Sequence, residues 1–290
     1  MNGLREHLDD LYRQVDIQAR LAADPVAFPR RYADPRDAEI VGLVAASFAF
    51  GRVDLFRPVL ARIFAILDEH GGPRAFVDSF EPLRDRGGLD PIVYRWTRGP
   101  DVVLLLAALQ GVLADQGSLE SAFAGTDAKS AISAGVTALR TAAVAHANRC
   151  GSSAQAYGEL PRGLRMLLAS PEDGSACKRW NMYLRWMVRP PREGVDLGLW
   201  KSLSPSDLVI PLDTHVGRIA RLVGLTHRRD NSWKTAMEVT EALRTFDSED
   251  PIRFDFAIAH LGISGACIGR FHEEACPTCT LRPVCVAGLR

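Results

Sequence analysis

The sequence predicts an all-α protein. Three observations carry this: apolar residues recur at close to 3.6-residue spacing along several stretches, no segment alternates convincingly between apolar and polar residues, and turn-forming residues punctuate the helical stretches. No unit repeats along the 290 residues.

Leu4 to Leu21 carries Leu4, Leu8, Leu11, Val15 and Ile17 on one face and stops before Asp24-Pro25, which predicts one amphipathic helix. Asp34-Pro35-Arg36-Asp37 opens a second helix that turns apolar on all faces from Ile40 to Phe50 and ends at Gly51, so it belongs in a core. Helices are also expected over Leu55–Glu69, Val102–Asp115, Ser130–Ala147 and Pro161–Ala169, with a short one at Pro91–Trp96. Gly71-Gly72-Pro73, Arg86-Gly87-Gly88, Gly125-Thr126-Asp127 and Cys150-Gly151-Ser152-Ser153 are expected loops. The turn Ser170–Ser175 delivers the chain into a helix over Ala176–Val188, cut by Pro190-Pro191. Extended Val209–Leu212 then leads to Asp213, an N-cap for a helix with Val216, Ile219, Ala220 and Val223 buried and Gly224 at its end.

With 47% hydrophobic residues the chain can bury a substantial core. No stretch approaches the roughly 20 apolar residues of a membrane span, and the opening MNGLREHLDDLYRQ lacks a secretory apolar region, so no membrane and a cytoplasmic location are expected. Net charge is zero, yet Ala176–Arg229 holds ten basic residues (Lys178, Arg179, Arg185, Arg189, Arg192, Lys201, Arg218, Arg221, Arg228, Arg229) against four acids. That local excess suits a phosphate-bearing partner or an ordinary solvated helix face.

The last two dozen residues contain Cys267-x8-Cys276-x2-Cys279-x5-Cys285. Four thiolates so close in sequence can wrap a tetrahedral zinc or an iron–sulfur cluster. Disulfide staples do not suit a long, hydrophobic chain without secretory features. Of the 35 basic residues only Lys129, Lys178, Lys201 and Lys234 are lysines. Arginine stays protonated and cannot serve as an amine nucleophile, so a retained lysine draws interest. Lys178 stands at a helix start after a Gly/Ser turn, a seat for phosphate as well as for chemistry. Trp180, Tyr183 and Trp186 are expected core residues, and Cys177 a small buried hydrophobe.

Leu212-Asp213-Thr214-His215-Val216-x-Arg218-Ile219, followed by the cysteine loop and Leu261-Gly262 … Cys267-Ile268, resembles the endonuclease III branch of the helix-hairpin-helix DNA glycosylases. There the motif reads V-D-T-H-[VI]-x-R-V ahead of a C-x6-C-x2-C-x5-C loop. The resemblance covers residues 36–290 and implies two helical lobes: a six-helix barrel over 36–212, and a second lobe of 1–35 with 213–290 holding a [4Fe-4S] cluster in loop 267–285. Asp213 would be the catalytic carboxylate. Lys178, after Gly174-Ser175-Ala176-Cys177 where the family shows G-x-G-x-K, would be the Schiff-base nucleophile. Arg52, Gly174, Ser175, Arg179, His215, Arg218 and Arg270, with His272, would meet DNA, and Cys267, Cys276, Cys279 and Cys285 would hold the cluster, with zinc as the alternative. The implied activity is removal of a damaged base with abasic-site lyase cleavage. The implied partner is duplex DNA carrying a damaged base or abasic site, met by a monomer that is nucleoid-associated when bound. A monofunctional glycosylase and a non-catalytic iron–sulfur nucleic-acid-binding protein stay open. This chain departs from the pattern in having alanine at the second hairpin glycine, 35 residues between Lys178 and Asp213, and an insertion over 189–206.

Overall fold

The computed structural model describes residues 3–149, 160–191 and 194–288. The expected loop at Cys150–Ser153 and the charges of Arg192 and Glu193 lie outside them. The described residues are predominantly helical, as the sequence predicts. Their one regular β element is a two-residue antiparallel pair.

The N-terminal stretch makes two helices, α1 (Leu4–Gln14) and α2 (Ile17–Leu21), instead of one. Between them the Asp16 carboxylate accepts the Ala19 N–H and so starts a new helix in the middle of the apolar period. Helix α3 (Pro35–Phe48) begins at Asp34, which accepts the Arg36 N–H, and is buried from Ala38 through Phe48. Gly42 lets α3 meet a later helix closely: a Cβ there would stand 2.8 Å from Met187 Cε. Helix α4 (Val53–Asp68) follows after Gly51, which takes the left-handed conformation (φ 79°).

Gly71-Gly72 form the expected turn, and helix α5 (Pro73–Asp78) begins at Pro73, whereas α6 (Pro82–Leu89) replaces the loop expected at Arg86-Gly87-Gly88. Pro73 occupies a favoured first-turn position, and Arg86-Gly87-Gly88 continues α6, with Gly88 facing Ile66 of α4, where a Cβ would lie 3.2 Å from Cδ1. The short helix expected at Pro91–Trp96 is a hairpin, β1 (Val93–Tyr94) pairing with β2 (Thr97–Arg98). Tyr94 and Thr97 point into the core, Tyr94 donates its hydroxyl to the Phe50 carbonyl, and Arg95 takes φ 53° at the turn.

Helices α7 (Gly99–Gln116), α8 (Leu119–Ala122), α9 (Ala128–Arg149) and α10 (Arg162–Leu167) complete the central group, with α7 packed along α9. Helix α11 (Lys178–Val188) lies against α3. Trp180, Tyr183 and Trp186 are buried, as expected. Helices α12 (Thr214–Leu222), α13 (Trp233–Arg244) and α14 (Asp255–Ile263) follow, with α12 crossing α14 and α14 touching α1. The buried apolar side chains form one continuous cluster running from Leu4 to Leu281. No helix among the described residues is long and apolar enough to cross a membrane.

The insertion is held on the far side of α3 and α11. Trp200 packs on Tyr183 and Phe123 and donates Nε1–H to buried Glu39, while Glu120 accepts the N–H groups of Lys201 and Ser202.

Candidate active site

A cavity of about 750 Å³ opens where the end of α3, the start of α4, α11, the N-terminus of α12 and α14 converge, with Asp24-Pro25 on its wall. Five of the expected catalytic and DNA-contacting residues line it: Arg52, Lys178, Arg179, Asp213 and His215. No described residue of the 189–206 insertion does.

Lys178 is the first residue of α11. Cys177 before it takes φ 48°, and the Cys177 N–H is accepted by Ser175 Oγ, so the chain turns sharply into the helix. The Lys178 amine sits 3.3 Å from the Ala49 carbonyl oxygen and 3.4 Å from Met182 Sδ. Loss of water around it lowers its pKa below the ordinary lysine value, against the opposing pull of Asp213, Asp24 and Asp255. Cys177 is buried, donates to the Ala169 carbonyl, and burial pushes its thiol up to about 11, the behaviour of a core residue.

Asp213 caps α12. Its Oδ1 accepts the N–H groups of His215 and Val216, both at 2.8 Å, and its carbonyl accepts from Asn231, itself gripped by Arg221. The carboxylate is therefore fixed in place at the cavity wall.

Arg179 spends its guanidinium on the carbonyls of Ser47 and Met166 and lies over the Phe50 ring. Burial lowers its pKa to about 10. Arg52, at the cavity mouth, pairs with Asp54. Arg218 donates to the Cys267 carbonyl at 2.6 Å and contacts His215 Nδ1, so it joins α12 to the first cysteine and stands behind the cavity. Gly174 (φ 75°) and Ser175 also lie outside the cavity lining: the Gly174 carbonyl accepts from Trp233, and Ser175 bridges to Ser232. Arg270 is exposed in the cysteine loop.

Much of the basic excess in the Ala176–Arg229 stretch is consumed internally. Arg185 pairs with Asp196 and Asp255, and Arg189 with Asp196 and Asp250, with both guanidinium groups under 10% exposed. Arg221 and Arg228 hold the 226–232 loop together. The stretch is a buried charge network more than a solvated basic face.

Asp24, Arg185, Asp255 and His260 join the cavity without a motif to announce them. Asp24 Oδ1 accepts the Val26 N–H, and its Oδ2 lies 3.5 Å from His260 Nε2. Asp255 stands alone in the apolar run Phe254–Ala259, and a lone acid in such a run is the signal that could have marked it.

None of the four loop cysteines is in a disulfide, and all are partly buried. Cys276–Thr278 and Arg282–Val284 form tight turns, each running directly into the next cysteine, Cys279 and Cys285. Burial raises the Cys279 pKa, and Cys267, Cys285 and Cys276 add to the rise, so the four sulfurs bear on one another. Among the described residues no three His, Cys, Asp or Glu side chains converge as a ligand group for one metal ion. An all-thiol donor set suits an iron–sulfur cluster or zinc once deprotonated.

An all-α scaffold thus carries a cavity whose lining brings a half-buried lysine amine together with the carboxylates of Asp24, Asp213 and Asp255. The chain belongs to a family described as "Protein of unknown function (DUF2400)", whose model matches residues 24–264. The match takes in Asp24, Lys178, Asp213 and Asp255 and stops short of Cys267. Neither a curated protein nor a solved structure matches the chain.

Proposed function

We propose that this protein is a DNA base-excision glycosylase with abasic-site lyase activity. The observation that carries the proposal is the meeting of Lys178 and Asp213, 35 residues apart in sequence, in one cavity where burial weakens the lysine's hold on its proton. An uncharged amine and a fixed carboxylate in one cavity are the equipment for attack at a sugar carbon that develops positive charge.

In this reaction a damaged nucleotide swings out of the duplex into the cavity. The lone pair of Lys178 Nζ forms a bond to C1′ while the C1′–N bond breaks and its electron pair leaves with the base. Asp213 stabilises the charge growing on the sugar. Nζ loses a proton, the ring opens to the protonated imine, and loss of a C2′ proton expels the 3′ phosphate. Arg52, Arg179 and His215 border the cavity, and Gly174, Ser175 and Arg270 lie on the surrounding surface proposed to follow the strand, while Arg218 stands behind the cavity and ties α12 to the cysteine loop. Walls drawn from both 36–212 and the paired stretches 1–35 and 213–290 support a cleft between two lobes, with the 36–212 part as the helical barrel.

Cys267, Cys276, Cys279 and Cys285 would hold a [4Fe-4S] cluster, which when bound supplies rigidity to the loop. The Arg218–Cys267 bond would pass that rigidity to the helix capped by Asp213. The test is a set of duplexes each carrying one defined lesion: 8-oxoguanine, an oxidised pyrimidine, uracil or an abasic site. Free base and a nicked strand from at least one duplex are expected. Salt-sensitive binding with no product from any of them would leave only a binding module.

A further inference from the structure

Among the cavity carboxylates that the proposed mechanism leaves unused are Asp24 and the more deeply buried Asp255. Asp255, on α14, is 3% exposed. Its Oδ2 accepts Arg185 Nη1, whereas its Oδ1 is buried and has no partner among the described residues. An uncompensated carboxylate oxygen in a water-poor site is costly, and the cost falls when a proton or a donor reaches it. Asp213 differs: its Oδ1 already accepts two backbone N–H groups. Asp213 is thus anchored by backbone donors, whereas Asp255 keeps one oxygen free to take up a proton.

We propose that Asp255 is the proton acceptor for the Lys178 amine and returns that proton to the leaving group. In the first step one bridging water relays the proton, since no hydrogen bond or ion pair joins the two groups: an Nζ–H bond of the ammonium breaks and an Oδ1–H bond forms, leaving a neutral amine and a carboxylic acid. In the second, Nζ bonds to C1′, the glycosidic nitrogen leaves with the bonding pair, and it takes the proton from Oδ1. The restored carboxylate then accepts the proton released from the alkylated Nζ. On an abasic site the same proton goes to the departing hydroxyl of the carbinolamine. This role rests on the Lys178 nucleophile proposed above. The groups that face the pair are Asp24, Asp213 and His260 from the surrounding walls, and Arg179 and Arg185 from α11 itself. Burial raises the Asp255 pKa and lowers that of Lys178, which brings the two proton affinities toward each other.

The experiment compares wild type, Asp255→Asn and Asp255→Glu with two measurements across a pH series. One is the rate at which an acetylating ester labels Lys178, read by mass spectrometry. The other is single-turnover borohydride trapping on an abasic duplex. Asparagine keeps the size and an oxygen for Arg185 but cannot take the proton. Removing the negative neighbour makes the amine easier to deprotonate, so labelling of Asp255→Asn is expected to rise near neutral pH. Trapping is expected to fall roughly 100-fold, the scale of a lost general acid–base group. Asp255→Glu should restore much of it. Labelling and trapping that both rise, or neither moving, would make Asp255 a mere charge neighbour and overturn the proposal. If both fall and glutamate restores nothing, the residue is structural and the proposal is likewise overturned. A wild-type protein that traps nothing removes the Lys178 nucleophile itself, whereas trapping by Asp255→Asn at the wild-type rate removes only the proton acceptor.

Discussion

Lys178 is held by a carbonyl and a thioether, two neutral partners that do little to keep an ammonium charged. Burial lowers its pKa, so the neutral amine is present at a lower pH than for a free lysine, whose pKa is about 10.4. The acid limb of a trapping profile should therefore fall below the free-lysine value. A limb at that value would mean a solvated amine. Lys178→Met should abolish trapping and leave thermal stability equal or higher, by roughly 1 kcal/mol at most, because a site residue held against its preferred charge state is a common stability cost. Cys177 offers an internal comparison. With its thiol near 11, it should resist alkylation at neutral pH until the protein is unfolded, which peptide mapping with and without denaturant would check.

At the scale of elements, the site depends on helices that cross closely. A Cβ on Gly262 of α14 would lie 2.6 Å from the Cβ of His215, two residues past the Asp213 cap. Gly262→Ala should cost about 1–3 kcal/mol in denaturant unfolding and slow turnover by moving α12. An unchanged variant would show that the crossing has slack. Asp196 lies between two buried arginines, so Asp196→Ala should lose roughly 3–5 kcal/mol, since it leaves Arg185 and Arg189 short of a counter-charge. Much of this was legible in the sequence: α3 as an all-apolar core helix, α11 with its aromatic triplet, and the Asp213 cap. What local pattern did not show was whatever depended on partners distant in the chain. Arg86-Gly87-Gly88 carries turn residues yet continues a helix whose Gly88 packs closely on Ile66 of α4. The Pro91–Trp96 stretch turns as a hairpin because Tyr94 and Thr97 are both drawn into the core. Asp24 reaches the cavity from the N-terminal stretch and Asp255 and His260 from α14, and no spacing along the chain links them to Lys178.

For the whole molecule, neutral net charge hides a buried network of arginines and aspartates, so Arg185 and Arg189 are not available to a polyanionic partner. Protein purified without oxygen is expected to be yellow-brown with iron and sulfide in equal amounts. Replacing Cys279 with serine should remove the colour and weaken duplex binding, and a colourless protein carrying one zinc would assign the loop to that metal instead. The proposed repair chemistry itself stands on one covalent bond. Borohydride reduction of the protein on a duplex with a single abasic site, followed by peptide sequencing of the adduct, measures it directly. The account predicts a covalent complex with the sugar fragment on Lys178 and none from Lys178→Ala. A complex formed equally by that variant, or an adduct mapped to Lys129, Lys201 or Lys234, would contradict it.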